Sequence, residues 1–239
     1  MNKKKSILQG NVLYTIIAII IGFVIGAIFL VIAGISPAVA YGKLISSVFS
    51  KPKYLVYTLV YAAPIILTGL SVAFSFRTGV FNIGAEGQFV VGSIAATLVG
   101  VLVELPAVIH VPLCILAAMA AGAFWSFICG LMKVKKGIHE VLSFIMFNWI
   151  AFYFSNFVVN LKSIKVEGGE ASRNLADSAR ILFPAEWIAK IKCPDANWGI
   201  VIAVVMAIAI WIIIEKTTLG YRLKAVGFNK HSAEYAGID

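Results

Sequence analysis

The sequence predicts an all-α fold, a multi-pass transmembrane helical bundle with about six spans. Of the 239 residues, 61% are hydrophobic and only 13% are charged, and the mean hydropathy is +0.95. A soluble domain is nearer half apolar and a quarter charged, and a soluble core of this size would leave too little polar surface to cover it. Strands of alternating polarity are absent, which argues against a membrane barrel.

Six apolar segments are long enough to cross a bilayer, which takes about 20 residues of helix. Pro112 falls in the first turns of one of them, where proline is tolerated. The six predicted spans are 12–35, 55–76, 88–104, 107–132, 138–160 and 198–214. We interpret residues 1–239 as a single transmembrane domain, with an outer loop at 161–197 and a tail at 215–239.

Basic residues set the predicted orientation of these spans. The chain has 20 Lys and Arg against 11 Asp and Glu, a net charge of +9. Lys3, Lys4 and Lys5 precede the first span, and the K-V-K-K cluster at 133–136 follows the fourth. Since short cytoplasmic loops are enriched in Lys and Arg, both chain termini are predicted to be cytoplasmic. No basic face studded with aromatic residues appears, so nucleic acid is not an expected partner.

Motifs for catalysis or metal binding are missing from the sequence. The three cysteines are widely separated, so neither a disulfide framework nor a metal site is expected. His139-Glu140 would begin a zinc-protease motif, but Ser143 stands where the second histidine is needed. P-loop, G-x-S-x-G and G-x-G-x-x-G motifs are also absent. We therefore expect a protein that is not an enzyme and has no cofactor, and any ATP hydrolysis would belong to another chain.

The stretch N-I-G-A-E-G-Q at 82–88 interrupts two apolar segments with polar groups. Glu86 beside a membrane span needs water, a partner or a proton. Asn82 is expected to cap the following helix, and the two glycines permit close backbone contacts. A broken helix of this kind forms the binding site of many transporters, but a solvated turn between two spans would look similar. From the residues alone, both interpretations of Asn82, Glu86 and Gln88 stay open.

A second polar stretch occupies 137–151, where Glu140 and Ser143 share one helix face. Glu140 is expected either to pair with a nearby lysine of 133–136 or to stabilise the helix start through the helix dipole. Asn148 is expected to make an interhelical amide hydrogen bond or to contribute to a transport path.

The tail carries signals for a short helix. Asn229 is a good N-cap for a helix at 230–236, and Gly237 suits the position just past its end. Ala233 and Ala236 give this helix a small face. Because two turns are unstable alone in water, we expect the tail to pack on its own bundle or to dock on another protein.

These three stretches together, N-I-G-A-E-G-Q, G-I-H-E-V-L-S-F-I-M-F-N-W-I-A and L-G-Y-R-L-K-A-V-G-F-N-K-H-S-A-E-Y-A-G-I, resemble the permease subunits of ABC importers for simple sugars and nucleosides. The resemblance is closer to the nucleoside branch, which works with receptors of the basic-membrane-protein type. It implies a location in the bacterial cell membrane. It also implies three kinds of partner: two cytoplasmic ATP-binding subunits, a second homologous permease and an external substrate-binding lipoprotein.

The resemblance also implies roles for individual residues. A path residue Glu86 would accept a hydrogen bond from a ribose hydroxyl or form a switch pair with Arg77. The implied substrate path comprises Asn82, Glu86, Gln88 and Asn148. The tail would be the cytoplasmic coupling helix, with ATPase-docking residues Gly227, Asn229, Ala233, Glu234, Ala236 and Gly237.

The sequence thus predicts a permease subunit that forms the membrane path for a nucleoside or a simple sugar. Two alternatives remain, an ion-coupled secondary transporter or channel for the same substrates, and a membrane scaffold or intramembrane enzyme. Uptake that survives loss of ATP but not loss of membrane potential would favour the ion-coupled transporter. Since members of the resembling family continue with further spans beyond the position of Asp239, the chain is expected to be C-terminally truncated.

Overall fold

The structure is a computed structural model that describes residues 11–238, and the side chains from residue 13 onward. Lys3, Lys4, Lys5 and Asp239 lie outside the described residues, so the expectations that rest on them stay predictions. The chain divides into two compact units, Met1–Thr58 and Leu59–Asp239.

Helices dominate the described residues, where the only β pairing consists of isolated bridges. In chain order the helices are α1 (Asn11–Ile32), α2 (Pro37–Phe49), α3 (Pro52–Arg77), α4 (Ala85–Leu102), α5 (Ala107–Lys136), α6 (Glu140–Val159), α7 (Ala185–Ile191), α8 (Gly199–Lys216), α9 (Thr218–Phe228) and α10 (Lys230–Tyr235). By length and composition, α1, α3, α4, α5, α6 and α8 are long and apolar enough to cross a membrane. The predicted all-α class with six spans is therefore confirmed.

The first unit holds α1, α2 and the first turns of α3. Helix α2 is an addition that the hydropathy pattern did not predict, because its 13 residues are too few to cross a bilayer. Pro37 occupies its first turn, where the missing N–H costs nothing. Tyr41 connects α2 to α1: its hydroxyl donates to the carbonyl of Phe23 at 2.8 Å, and the two rings meet edge to face.

Helix α4 is the centre of the second unit and packs against both α5 and α6. Small residues allow this close approach. A Cβ on Gly92 would lie 3.0 Å from the carbonyl oxygen of Ala118, and one on Gly122 would lie 3.3 Å from that of Gln88. In contrast, large apolar side chains elsewhere are exposed, for example Phe157 at 64%. This inverted arrangement is expected where lipid is the solvent.

The segment between α6 and α8 folds back onto the ends of α4 and α5. The amide of Ala176 donates to the carbonyl of Gly100 at 2.9 Å. The fully buried imidazole of His110 contacts the hydroxyl of Ser178 at 2.8 Å and the carbonyl of Val99 at 3.2 Å. The predicted outer loop 161–197 therefore carries tertiary contacts.

The tail forms two helices beyond α8. Helix α9 follows Thr217, whose side chain accepts from the amide of Gly220. Asn229 caps α10 by accepting from the amide of Ser232 at 3.0 Å, and Gly237 follows the helix with φ of 76°. These are the capping roles that the sequence predicted for Asn229 and Gly237.

Candidate functional site

The stretch N-I-G-A-E-G-Q forms a non-helical connection followed by the first turn of α4. The residue preceding α4 is Gly84, with no side-chain cap. The prediction that Asn82 caps this helix is therefore wrong. Asn82 lies two residues too early: its Oδ1 accepts from the amide of Gly84 at 2.9 Å and from Nε2 of Gln88 at 3.2 Å.

Asn148 of α6 holds this connection in place. Its Oδ1 accepts from the amide of Gly87 at 2.9 Å, and its Nδ2 donates to the carbonyl of Ile83 at 3.1 Å. The amide of Gly87 lies in the first turn of α4, where backbone N–H groups lack partners within the helix. Asn148 therefore supplies the partner that Asn82 does not.

Two glycines make the contact between α6 and the start of α4 possible. A Cβ on Gly87 would lie 2.7 Å from Oδ1 of Asn148, and one on Gly84 would lie 2.9 Å from Cγ of Phe144. Both distances are shorter than carbon atoms tolerate in a packed interior. These positions therefore require glycine for close approach.

The contact with Asn148 places the start of α4 deep in the bundle. The turn between α5 and α6 is marked by an ion pair of 2.8 Å between Lys133 and Glu140. Asn148 lies eight residues along α6 from Glu140, or about 12 Å at the helical rise. Gly122, which meets Gln88, lies eleven residues before Lys133 on α5, or about 16 Å. The start of α4 therefore lies about 12–16 Å along the neighbouring helices from this turn.

Asn82, Gln88 and Ser71 form a polar cluster at this depth. The Nδ2 of Asn82 lies 3.4 Å from both Oγ of Ser71 and Oε1 of Gln88, and the Ser71 hydroxyl lies 3.4 Å from the same Oε1. Asn82 is only 4% exposed. The contacts are long for hydrogen bonds, so a better-placed group would compete with them at low cost.

This cluster forms one wall of a cavity of about 440 Å³ between α3, α4, α5 and α8. Neither the hydroxyl of Ser126 nor the second Nε2 hydrogen of Gln88 has a partner among residues 11–238. The ten lining residues carry no charge: Leu67, Leu70, Ser71, Phe74, Ser75, Asn82, Gln88, Ser126, Met206 and Ile210. The cavity combines apolar walls with one uncharged polar edge.

Glu86 faces the other side of α3 and does not line this cavity. It lies in a groove of about 750 Å³, formed by Pro64, Ile65, Thr68, Gly69, Val72, Ala73, Phe76, Ala85, Glu86 and Phe89. The expected pair between Glu86 and Arg77 does not form, and Glu86 has no ion pair within residues 11–238. The structure therefore separates the four predicted path residues: Asn82 and Gln88 share the cavity, Asn148 supports it from behind, and Glu86 faces the groove.

Glu140 has both features that the sequence offered as alternatives. It is the first residue of α6, where the helix dipole favours an acid, and its carboxylate accepts from Nζ of Lys133. This ion pair connects the end of α5 to the start of α6. Nearby Ser143 is buried, and its hydroxyl lies 3.4 Å from the carbonyl of His139. The geometry gives both residues a structural role.

The tail residues predicted to dock fall into two sets. Gly227 packs on the end of α3, where a Cβ would lie 3.1 Å from the amide nitrogen of Gly79 and would overlap the carbonyl of Arg77. Ala233 is buried at 4% exposure. Gly227 and Ala233 therefore make packing contacts within the chain and are not free to dock on a partner. The exposed predicted residues are Asn229, Glu234, Ala236 and Gly237.

Two aromatic residues of the tail are almost fully exposed and were not predicted. Phe228 is 88% exposed and Tyr235 is 97% exposed.

Sequence reasoning also missed Ser71 and Ser126 at the cavity. A lone serine in an apolar helix was the available signal, but it is weak because serine often bonds its own helix backbone.

Comparison with known proteins identifies a family and several relatives of this chain. Residues 54–239 match the family described as "Branched-chain amino acid transport system / permease component". The chain is similar to the guanosine ABC transporter permease protein NupP of Bacillus subtilis (strain 168), at 39% identity over 96% of this chain and 65% of the relative.

Two further relatives are similar over a smaller share of their own lengths. The glucose ABC transporter permease protein TsgB13 of Haloferax volcanii is 31% identical over 93% of this chain and 60% of the relative. The guanosine ABC transporter permease protein NupQ of Bacillus subtilis (strain 168) is 32% identical over 76% of this chain and 58% of the relative. The chain thus spans less than two thirds of these curated relatives. No solved structure matched significantly.

Proposed function

The chain belongs to the family of permease components of branched-chain amino acid transport systems, and from this membership we propose that it is a membrane subunit of an ATP-driven (ABC) importer for a nucleoside or a simple sugar. Six helices of spanning length make it a multi-pass membrane protein. The relatives named as guanosine and glucose permeases support the proposed substrate classes.

The uncharged cavity is the observation that carries the proposed substrate class. Asn82, Gln88, Ser71 and Ser126 offer amide and hydroxyl groups that hydrogen-bond to sugar hydroxyls or to the ring nitrogens of a base. Phe74 and the aliphatic walls cover an apolar ring face. An amino acid would bring a carboxylate and an ammonium, which are costly to desolvate without opposite charges. The cavity therefore favours a neutral polar solute.

Partners and orientation follow from the same proposal. Two ATP-binding subunits would bind at the cytoplasmic side, a second homologous permease would complete the membrane part, and an external lipoprotein would deliver the substrate. The basic turn at 133–136 supports a cytoplasmic tail. The presence of two different guanosine permease proteins in Bacillus subtilis supports a pair of non-identical membrane subunits.

The chain also offers a route by which ATPase motion reaches the cavity. Helix α9 contacts the end of α3 through Gly227 and Gly79, and Asn82 follows Gly79 by three residues. Lys224 pairs with Glu215 at 2.9 Å and so attaches α9 to the end of α8. A rotation of the docked tail would shift the connection that carries Asn82. We therefore assign alternating access to movement of this connection against α5 and α8.

The test is substrate uptake by the full-length protein with its partners in proteoliposomes, with Ser126→Ala as the site variant. Loss of one neutral hydrogen bond costs about 0.5–1.5 kcal/mol, so we expect the apparent substrate affinity to fall roughly 2–10-fold. Ser93→Ala is the matched control, because the Ser93 hydroxyl bonds the carbonyl of Val90 in its own helix.

Two results would contradict the proposal. Uptake that continues without ATP but stops when the membrane potential is collapsed would favour an ion-coupled transporter. Equal substrate affinity in the Ser126→Ala and Ser93→Ala variants would remove the cavity from the substrate path. The path role predicted for Glu86 is separate from this test and stays a prediction.

A further inference from the structure

We propose that the side-chain amide of Gln88 is a hydrogen-bond donor of fixed direction, and that it pairs with an acceptor atom on the base of a nucleoside in the cavity. The acceptor is a carbonyl oxygen or a ring nitrogen. This inference rests on the proposed function and deepens it, because it states which part of the solute the polar edge of the cavity recognises and assigns that selection to one residue.

The backbone before α4 fixes the orientation of the Asn82 amide. Oδ1 of Asn82 lies 2.9 Å from the backbone nitrogen of Gly84, which can only donate. The atom that faces Gly84 must therefore be the carbonyl oxygen of Asn82, and its NH₂ group must lie on the other side. A flipped amide would place two donors against each other. Asn82 is only 4% exposed, so water could not relieve that contact.

The orientation of Asn82 in turn fixes that of Gln88. The two side chains form a reciprocal amide pair: Nε2 of Gln88 lies 3.2 Å from Oδ1 of Asn82, and Nδ2 of Asn82 lies 3.4 Å from Oε1 of Gln88. Flipping Gln88 alone would bring the two NH₂ groups together and the two oxygens together. The direction of the Gln88 donor is therefore set by the protein backbone before any solute binds.

This arrangement uses the amide acceptors but leaves one amide donor over. Oδ1 of Asn82 accepts from Gly84 and Gln88, and Oε1 of Gln88 accepts from Asn82 and from the Ser71 hydroxyl at 3.4 Å. A carbonyl oxygen has two lone pairs, so both oxygens are fully used. Nε2 of Gln88 carries two hydrogens and uses one of them among residues 11–238. Within the described part of the chain, the amide pair therefore offers a solute one N–H donor and no acceptor.

A base matches this edge better than a sugar does. A base carbonyl or ring nitrogen only accepts, so it pairs with the free N–H and displaces nothing. A sugar hydroxyl also brings a proton, which needs an acceptor once the hydroxyl leaves water. That proton could displace the Asn82 or Ser71 donor from Oε1 of Gln88, but the displaced donor would then lack a partner. Phe74 and the aliphatic walls cover the flat face of a base.

Ser126 lies close to this donor on the neighbouring helix. Gly122 contacts the backbone of Gln88, and Ser126 also lines the cavity four residues later on α5, so the two share one helix face. A hydroxyl both donates and accepts. Next to its acceptor, a base edge presents either a donor or a second acceptor, and the Ser126 hydroxyl serves both. The fixed donor of Gln88 therefore selects the base, whereas Ser126 adapts to it.

The experiment compares two permease forms and a set of guanosine analogues, measured as uptake by the full-length importer with its partners in proteoliposomes. Gln88→Met keeps the length of the side chain and removes the donor. Each analogue lacks either one base acceptor, as in 7-deazaguanosine, or one ribose hydroxyl, as in 2′-deoxyguanosine. Because the receptor is the same throughout, a change in the relative affinity for two solutes belongs to the permease.

We expect Gln88→Met to weaken the apparent affinity for guanosine roughly 2–10-fold, the equivalent of one neutral hydrogen bond. Its affinity for one of the base analogues should stay unchanged, since that analogue has already lost the same bond. The ribose analogues should weaken as much as guanosine. The matched control is Asn156→Leu, which removes an exposed amide on α6 and should change the affinities for all solutes by one common factor.

Three results would overturn the role of Gln88. A fall by one common factor for guanosine and all base analogues would make Gln88 a structural support. An unchanged affinity for a ribose analogue in place of a base analogue would assign the donor to the sugar. ATP-driven uptake of glucose without uptake of guanosine would refute the base assignment and leave the importer standing. Absence of ATP-driven uptake of both solutes would refute the importer itself.

A second measurement covers the case in which Gln88→Met does not fold. With the wild-type importer, the loss of apparent affinity in uptake is compared with the loss of affinity for the isolated receptor, analogue by analogue. For one base analogue, the loss in uptake should exceed the loss at the receptor roughly 2–10-fold, because the permease adds its own hydrogen bond to the base. Equal losses for every base analogue would contradict the proposal.

Discussion

Replacing Asn148 by alanine should loosen the start of α4 and destabilise the bundle. The substitution removes two hydrogen bonds, one at 2.9 Å from the Gly87 amide and one at 3.1 Å to the Ile83 carbonyl. An unsatisfied buried group costs about 1–3 kcal/mol, whereas side-chain hydrogen bonds inside membranes average about 0.6 kcal/mol. For two bonds these figures give roughly 1–6 kcal/mol. A protein of this size loses about 2–4 °C in Tm per kcal/mol, so a cost of about 2 kcal/mol, towards the membrane figure, lowers the Tm by about 4–8 °C.

The chain contains its own reporters for this measurement. Cys129 and Cys193 are at most 1% exposed, so a thiol-reactive fluorophore added during a thermal ramp reports their exposure on unfolding. Asn156→Ala is the matched control. Asn156 lies on the same helix and is exposed, and its side-chain amide has no hydrogen-bond partner among the described residues. The reasoning fails if the two variants have Tm values within about 2 °C of each other, the spread of ordinary surface substitutions.

Two further predictions concern the tail and the turn between α5 and α6. Replacing Phe228 and Tyr235 together by alanine should lower co-purification of the ATP-binding subunit at least about tenfold, since truncated aromatic anchors cost about 2 kcal/mol or more at interfaces. The control is Trp187→Ala, in the segment between α6 and α8. Equal capture of the ATP-binding subunit by the two variants would contradict the docking role of the tail. Glu140→Gln should remove the ion pair with Lys133 at a cost of about 1 kcal/mol or less. The expected decrease in Tm is below about 4 °C. A larger decrease in Tm would mean that Glu140 does more than connect α5 to α6.

The sequence predicted the features that depend on neighbouring residues. Apolar length alone located all six spans, and the N-cap at Asn229 and the glycine after α10 followed from local backbone chemistry. Helix α2 was missed because hydropathy does not register a helix too short to span. The cap at Asn82 was predicted wrongly, because a polar residue before a helix does not reveal how many residues separate it from the first turn.

The candidate site depended on contacts that local patterns cannot show. Asn148 and Gly87 are 61 residues apart, and their hydrogen bond exists only because α6 packs on α4. The same packing decides that Gln88 and Glu86, two residues apart, face different sides of α3. Since successive residues of a helix point about 100° apart, a single motif readily serves two surfaces. The sequence identified N-I-G-A-E-G-Q as one polar unit, whereas the fold divides it.

This division explains why the motif combines glycines, amides and a carboxylate. Gly84 and Gly87 let α6 approach, which fixes the start of α4 against Phe144 and Asn148. The amides of Asn82 and Gln88 then meet Ser71 at the cavity, while Glu86 faces the groove. A shift of the connection by the tail would therefore change the cavity and the groove together, because Gln88 and Glu86 lie on the first turn of α4 and Asn82 lies in the connection just before it.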